Sequence, residues 1–320
     1  MTKSVILKQY EALGFDYGDN RLMEKVIELY NVESQKDDAF KLDVSFYVNR
    51  GDISALLGVH GSGKTYILDI LTGNTDYQSG IIKIFGNDDI SLEGPRIGYI
   101  PEKFIGIDNL TVNQNLIFFS KVYRLNNKTE LRKMYEEFQM DAYDKITIKN
   151  TSILVKKILG LMITLLGTPD LIIWDMPFDD LDSEEVEYIK YFIKKLNNEK
   201  KISFLLTGSE IGNYIDFSDS FIVVKEGKII KQCTKESLDK IEKKGIEVYT
   251  QDIELAACEL HKNNFEIDVI DKNRIIIYEK DISTPEIISM LVKKGVRLEE
   301  IKKITESKYY YLAKIMKGNV

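Results

Sequence analysis

The chain has 320 residues, which is long enough for one large domain and a smaller one. Hydrophobic residues make up 44% of the sequence and charged residues 30%, a balance typical of a folded globular protein and not of a disordered one. The formal net charge of −7 excludes a global basic field that would attract nucleic acid or anionic lipid.

The cysteines and the hydrophobic stretches favour a cytoplasmic protein. Cys233 and Cys258 lie far apart without disulfide or metal spacing, and isolated thiols fit a reducing compartment. The N-terminus becomes polar too early for a secretory signal. The longest uncharged stretch, residues 158–169, has 12 residues, whereas a membrane span needs roughly 20. If the protein works at a membrane, another chain must supply the spanning helices.

The N-terminal part of the chain predicts a helical extension and then the strands of a nucleotide-binding core. Residues 1–24 are predicted to form the extension, interrupted by Gly14 and Gly18. The sequences VIELYNV and FKLDVSFYV then alternate apolar and polar residues in the manner of antiparallel strands. DISALLG predicts a buried strand that runs into a glycine-rich loop, and KTYILDILTG predicts a helix that ends at Gly73.

The middle of the chain predicts a helical insertion followed by a return of strands. Residues from about 108 to 167 are predicted to form this helical subdomain, with helices around 111–123 and 129–138. Strands follow at 170–175, 202–207 and 220–225, and a helix at 183–197 separates the first two. The simplest organisation is an α/β nucleotide-binding domain over residues 25–235 that is interrupted by the insertion.

Residues 236–320 predict a separate α+β domain. GIEVYT, a helix at 252–263, FEIDVI, NRIIIYE, a helix at 284–294 and VRLEEIKKI follow one another. Thr284 is predicted to cap the second helix, with Pro285 in its first turn and Gly295 at its end. This order of elements is ferredoxin-like, and such domains often serve in docking or regulation.

The segment GVHGSGKT has the pattern GxxxxGK[ST] of a phosphate-binding loop. Glycines allow backbone amides to turn towards phosphates, Lys64 reaches the terminal phosphates, and Thr65 offers a hydroxyl to Mg²⁺. A strand is predicted before the loop and a helix after it, which is the context that this motif requires. The predicted nucleotide-binding residues are Gly58, Val59, His60, Gly61, Ser62, Gly63, Lys64, Thr65 and Tyr66.

The segment LIIWDM predicts the second half of the nucleotide site. Four apolar residues indicate a buried strand, and Asp175 at its end is placed to hold the coordination shell of Mg²⁺. The expected cofactors are therefore ATP and Mg²⁺.

The order of these motifs resembles the ATP-binding subunits of ABC transporters. GDISALLGVHGSGKTYILDILTG is similar to the first motif block of that family. IGYIPEKF with LTVNQNLIFFSKVY is similar to its Q-loop segment, and GTPDLIIWDMPFDDLD to its Walker B and D-loop. The similarity spans about residues 27–232. The residues PE within IGYIPEKF, the C-terminal extension and VRLEEI near the end resemble the corresponding parts of one subgroup. This subgroup is the single-domain ATPases of ABC-2-type exporters, including bacitracin-resistance and lantibiotic-immunity systems.

The resemblance implies a P-loop ABC-ATPase fold with antiparallel β and helical subdomains, and it assigns further positions. The Q-loop position falls on Glu102, which would add a ligand to the Mg²⁺ ligands Thr65 and Asp175. The signature motif falls on TSILV, in which Ser152 is retained as a contact for a γ-phosphate while bulky residues replace the two glycines. The general base falls on Met176 and the switch histidine on Ser209.

These departures imply a subunit that binds Mg-ATP but hydrolyses it weakly or not at all by itself. The partners implied by the resemblance are an integral-membrane permease and a second ABC ATPase subunit, which would hold the chain at the inner face of the cell membrane. An alternative is a regulatory nucleotide-binding module that acts through its C-terminal domain and takes no part in transport. A third reading, a kinase or GTPase, rests on NKTE alone, which has Glu where a GTPase motif has Asp.

Overall fold

The computed structural model describes residues 24–36, 40–125, 127–239, 243–271, 273–278, 283–306 and 308–317. The predicted N-terminal extension, residues 1–24, lies outside the described part apart from Glu24. Among the residues that are described, no helix is long and apolar enough to cross a membrane.

The strands alternate with helices for most of the chain. The strands are β1 (Lys25–Lys36), β2 (Phe40–Asn49), β3 (Ile53–Leu57), β4 (Ser79–Ile84), β5 (Ile97–Ile100), β6 (Leu171–Trp174), β7 (Ser203–Gly208), β8 (Ser220–Lys225), β9 (Lys228–Thr234), β10 (Lys243–Thr250), β11 (Glu266–Asp271), β12 (Arg274–Tyr278) and β13 (Leu298–Glu306). The helices are α1 (Lys64–Leu71), α2 (Ile90–Glu93), α3 (Val112–Val122), α4 (Lys128–Glu137), α5 (Ile153–Leu165), α6 (Ser183–Lys200), α7 (Lys235–Asp239), α8 (Ile253–Lys262), α9 (Thr284–Lys293) and α10 (Lys308–Lys317).

The larger sheet joins a parallel core to an antiparallel arm. Within the described residues it has the order β4-β1-β2-β9-β8-β3-β7-β6-β5. Strands β8, β3, β7, β6 and β5 run parallel, while β1 pairs antiparallel with both β2 and β4. Because the carboxyl ends of the parallel strands share one edge, the segments that follow β3, β6 and β7 come together there.

The burial of the strands follows from their sequences. Strands β3 and β6 are buried along their whole length, as near-continuous apolar strands covered on both faces must be. Strand β2 instead alternates buried and half-buried residues, which fits its place in the antiparallel arm. The buried side chains of the arm pack with those of α1 in one hydrophobic cluster. This packing fixes α1, and with it the loop at its N-terminus, against the sheet.

The helical insertion ends in α5, which returns the chain to the sheet. Helix α3 begins with a capping box between Thr111 and Gln114, and α5 begins after Ser152, whose side chain caps it. Helix α5 is buried along most of its length and leads to β6. Helix α6, predicted to end at residue 197, extends to Lys200, where Lys201 in a left-handed conformation ends it.

The chain divides into two compact units, and the second comprises Glu236–Lys314. Within its described residues, four antiparallel strands have the order β11-β12-β10-β13. Side chains of α8 and α9 share a hydrophobic core with the strands. The predicted cap of α9 was wrong: Ser283 is the N-cap and forms a capping box with Glu286, while Thr284 is the first helical residue. Thr284 already lies inside the first turn, because the amide of Glu286 donates to the carbonyl of Ser283 at 3.0 Å and the Glu286 carboxylate accepts from the amide of Ser283 at 3.4 Å.

Candidate functional site

The glycine-rich loop, residues 58–63, connects the carboxyl end of β3 to α1. The amide of Gly58 donates to the carbonyl of Gly208 at 3.1 Å, and the amide of Ser62 donates to the carbonyl of Val59 at 3.2 Å. Gly61 and Gly63 have φ angles of 78° and 107°, which side chains disfavour. A Cβ at Gly63 would also lie 2.7 Å from Cζ of Phe40. The loop is therefore preformed, and its glycines are required by its backbone.

Lys64 folds back over this loop. Its ammonium donates to the carbonyl of Gly58 at 2.7 Å and to that of Val59 at 3.0 Å, and the residue is buried. Burial lowers the pKa of Lys64, while the charges of Asp175, Asp179 and Glu102 raise it. A phosphate in the loop would offer charged oxygens to an ammonium that is bound here only by neutral carbonyls.

Ser62 provides a direct test of whether the loop fits an anionic ligand. Its hydroxyl is buried, and it has no hydrogen-bond partner among the residues that the structure describes. A buried polar group without a partner costs roughly 1–3 kcal/mol. A phosphate oxygen or an associated water would satisfy this hydroxyl, so the cradle fits the nucleotide that the motif implies.

The residues predicted to bind Mg²⁺ meet at the same edge of the sheet. The hydroxyl of Thr65 donates to Oδ2 of Asp175 at 3.0 Å, and Asp175 is only 1% exposed. Its amide donates to the carbonyl of Ile100 at 2.8 Å, which orients the residue from β5. Glu102, two residues further along from Ile100, is exposed but close enough to act on the pKa of Lys64.

The Thr65 hydroxyl and the Asp175 carboxylate suit a Mg²⁺ ion that takes its remaining ligands from a nucleotide and from water. They do not suit a metal ion that is bound by protein ligands alone. Mg²⁺ prefers hard oxygen ligands and keeps several waters, and it often binds through one or two carboxylates and substrate phosphates. In the described part of the chain, no three His, Cys, Asp or Glu residues form a group that could hold a metal ion. Thr65 and Asp175 could therefore hold Mg²⁺ in company with a nucleotide.

Met176 occupies the position at which the resemblance places the general base. Its backbone has a φ of 48°, and its side chain is 4% exposed. The amide of Met176 donates to the hydroxyl of Thr207 at 2.8 Å, and its carbonyl accepts from the Lys157 ammonium at 2.5 Å. A buried thioether is at most a weak hydrogen-bond acceptor, so it offers no useful proton acceptor to a water molecule.

Ser209, the predicted switch position, follows β7 directly. The carbonyl of the preceding Gly208 accepts from the first amide of the loop, at Gly58, so Ser209 lies beside the phosphate loop. Its side chain is half-buried. A serine hydroxyl is shorter than an imidazole and has no pKa near neutrality, so it cannot reproduce a histidine at this place.

The segment TSILV opens α5 as predicted, but Ser152 is already engaged there. Its hydroxyl accepts from the amide of Val155 at 3.4 Å and caps the helix. Ile153, the first helical residue, is 43% exposed, and Leu154 is half-buried. Within the described residues no hydrogen bond joins Ser152 to the loop at 58–65. The structure thus does not bring Ser152 to the phosphate loop of its own chain.

Three other predicted loop residues differ in how they face the site. Val59 and His60 are exposed at the loop. Tyr66 points into the core, where its hydroxyl shares a hydrogen bond of 2.5 Å with that of Ser34. Its ring packs edge-on against Phe40. Tyr66 therefore supports the loop from beneath, and any contact that it makes with a nucleotide is limited to its backbone.

Sequence reasoning missed Thr207, which holds Asp175 and Met176 in place from the neighbouring strand β7. Its hydroxyl donates to Oδ1 of Asp175 at 2.5 Å and accepts from the amide of Met176. The hydroxyl of the fully buried Tyr214 donates to the carbonyl of Thr207 at 2.5 Å. The sequence signal that could have found it is a threonine directly after the apolar residues FLL of a predicted strand. A hydroxyl that is buried at such a position needs hydrogen-bond partners.

Comparison with known proteins identifies the class of this domain. Residues 42–179 match the ABC transporter family model. YcbN of Bacillus subtilis, an uncharacterized ABC transporter ATP-binding protein, is 28% identical over 87% of this chain and 92% of its own length. The bacitracin transport ATP-binding protein BcrA of Enterococcus faecalis is 24% identical over 93% of this chain and 98% of its own length. The ADP conformation of MJ1267, an ATP-binding cassette of an ABC transporter, covers 68% of this chain and 94% of its own with a TM-score of 0.59 at 19% identity.

The larger sheet with its glycine-rich loop has the P-loop ABC-ATPase fold, so the predicted fold class is confirmed for the nucleotide-binding part of the chain. More particularly, residues 42–179 of this chain match the ABC transporter family model, and a bacitracin transport ATP-binding protein is among the proteins that the chain resembles.

Proposed function

We propose that this chain is the ATP-binding subunit of an ABC exporter of the peptide or antibiotic export and immunity class, and that it holds Mg-ATP with little hydrolysis of its own. The observation that carries the proposal is the pairing of a complete phosphate loop with a buried Met176 at the base position. The relatives named for bacitracin transport support the exporter class.

Nucleotide binding depends on groups that are already in place. The loop amides and the Lys64 ammonium bind the phosphates, and the Ser62 hydroxyl gains the partner that it lacks. Thr65 and Asp175 would hold Mg²⁺, which would neutralise phosphate charge.

Weak hydrolysis follows from what surrounds the expected position of the attacking water. Met176 offers no base, and the loss of a general base typically lowers a rate by roughly 10²–10⁴. Ser209 beside the loop and Ile153 at the start of α5 replace two further groups that the family uses. Effects of residues that act together are not additive, so we expect turnover near background for the chain alone.

An exposed apolar surface supports a permease partner. We call it the α3 patch, and it comprises four exposed side chains: Ile105 and Ile107 in the loop after β5, and Phe118 and Val122 on α3. The amide of Ile107 donates to Oδ1 of Asn115 at 2.8 Å, which joins the loop to this helix. Ile105 is 59% exposed and Val122 is 61% exposed, more than side chains packed inside a domain would be. Exposed apolar patches of this kind mark contacts with other proteins.

The test is nucleotide binding and turnover of the purified chain, alone and after reconstitution with a permease and a second ABC ATPase subunit. We expect micromolar or tighter binding of Mg-ATP and turnover only in the assembled complex. Robust turnover by the chain alone, absent from a Lys64→Ala variant, would contradict the proposed impairment.

Partner contact is tested separately by cross-linking through the α3 patch. In a Cys258→Ser background, which removes the exposed native thiol, Ile105→Cys should form a cross-link to the permease. Leu92→Cys is the matched control, because Leu92 is 68% exposed but lies on α2. Equal capture by both variants, or by neither, would contradict the α3 patch as the permease contact.

A further inference from the structure

Lys157 of α5 lies at the turn that follows β6, beside Asp175 of the nucleotide site. Its ammonium donates to the carbonyl of Met176 at 2.5 Å, directly after Asp175. Among the described residues it makes no ion pair, and this carbonyl is its one hydrogen-bond acceptor. An ammonium has three N–H donors, so two remain for a ligand.

Three of the four carboxylates around Lys157 also act on Lys64. Burial lowers the pKa of Lys157, and the charges of Asp179, Asp180, Glu102 and Asp175 raise it, in that order. Lys64 is influenced by Asp175, Asp179 and Glu102. The two ammonium groups therefore share one set of carboxylates, and Lys64 belongs to the loop while Lys157 faces the turn after β6.

A triphosphate entering this group of carboxylates meets electrostatic repulsion that cations must offset. Mg²⁺ is the usual means, and Thr65 and Asp175 would hold it. Residue 176 is an uncharged methionine whose carbonyl, and not its side chain, holds the ammonium. No carboxylate at position 176 neutralises Lys157, so its charge remains available to a phosphate.

We propose that Lys157 is a second ammonium of the nucleotide site, which contacts the terminal phosphate and makes binding of a nucleoside triphosphate less dependent on Mg²⁺. This inference rests on the proposed binding of ATP at the loop. It assigns to Lys157 a binding role beyond that of holding the turn at Met176.

The experiment compares the dissociation constant for ATP in excess Mg²⁺ with that in excess EDTA. For the wild type we expect the constant to rise less than about tenfold when Mg²⁺ is removed. Lys157→Gln keeps a donor for the Met176 carbonyl but removes the charge, and it should raise this ratio at least about tenfold further. Lys157→Arg, which keeps the charge, should stay close to the wild type.

Lys156→Gln is the matched control, since it removes the neighbouring lysine of the same helix, and it should leave the ratio unchanged. If Lys157→Gln is not folded by thermal denaturation, Lys157→Met is the second variant that removes the charge. An unchanged ratio in the folded variant, a loss of affinity that is equal with and without Mg²⁺, or no binding by the wild type in EDTA would each overturn the role of Lys157. No binding by the wild type even with Mg²⁺ would instead overturn the proposed function.

Discussion

Thr65 and Asp175 lie 110 residues apart in the chain, yet their side chains join by a hydrogen bond of 3.0 Å. Thr65 lies in the first turn of α1 and Asp175 directly follows β6, so the bond links the helix after the phosphate loop to the parallel sheet. It brings a hydroxyl and a carboxylate together before any ion is bound. The site is thus preorganised for Mg-nucleotide, although the residue after Asp175 is not a base.

Removal of the Lys64 side chain is expected to abolish nucleotide binding. The Lys64→Ala variant loses the ammonium that lies at the loop and can turn to the phosphates, and we expect affinity for Mg-ATP to fall at least about a hundredfold, as for a charge-assisted contact. Isothermal titration calorimetry measures this. Lys133→Ala, on an exposed position of α4, is the control and should bind as the wild type does. Undiminished affinity in Lys64→Ala would show that the glycine-rich loop does not bind the nucleotide.

Restoring a base at position 176 is expected to recover little activity. Met176→Glu places a carboxylate next to intact Asp175, Thr65 and Lys64, but Ser209 and Ile153 remain unsuited to hold the attacking water and the γ-phosphate. We expect phosphate release by the chain alone to stay within about threefold of background, because effects of cooperating residues are strongly non-additive.

Recovery should require Met176→Glu together with Ser209→His and a partner that supplies an intact signature motif. Steady-state phosphate release, with Lys64→Ala added to each variant as a blank, distinguishes these cases. Full activity from the single substitution would show that TSILV works as a signature motif.

Gly63→Ala is expected to disrupt the loop. Gly63 has a φ of 107°, and a Cβ there would lie 2.7 Å from the ring of Phe40. A strained backbone conformation costs roughly 1–3 kcal/mol, so we expect the free energy of unfolding to fall by about that amount. Urea denaturation measures the loss. Gly94→Ala is the control, because Gly94 has a φ of −47° and open space around it, and its effect should stay below about 0.5 kcal/mol.

The stability of the core is expected to depend on Asp52 at pH values near 6. Burial, and to a smaller extent the charge of Asp219, raises the pKa of Asp52 to about 6 although Asn49 donates to it. A carboxyl whose folded pKa is raised stabilises the fold below its unfolded pKa, and this contribution is lost as the pH rises through 6. Asp52→Asn should therefore stabilise the protein above pH 6.

The expected gain from Asp52→Asn is about 1 kcal/mol at pH 8, less than a shift of two pKa units alone implies because the residue is only half-buried. The gain should vanish towards pH 4. Urea denaturation at pH 5 and pH 8 measures it, with Asp88→Asn at an exposed position as the control. A gain that is equal at both pH values would assign the effect to something other than ionisation.

Much of the fold and half of the site could be predicted from local patterns in the chain. The loop GVHGSGKT requires its glycines for backbone reasons that act within a few residues, and its neighbours signal a strand and a helix by their periodicity. LIIW is apolar throughout because β6 is covered on both faces, and its bounds at Leu171–Trp174 lie within the predicted 170–175. Such features are visible without the structure because their causes are local.

The contacts that complete the site are not local, and folding alone brings them together. Thr207 joins Asp175 to Met176 because β7 pairs with β6, and Phe40 meets Gly63 because the antiparallel arm packs on α1. Lys157 reads as an ordinary surface lysine until α5 brings it to the Met176 carbonyl. The spacing of these residues in the sequence does not predict their contacts, since the contacts depend on which strands pair and which faces pack. The order of the motifs indicates a nucleotide site. Tertiary packing, in contrast, determines which charged side chains would surround the terminal phosphate of a bound nucleotide.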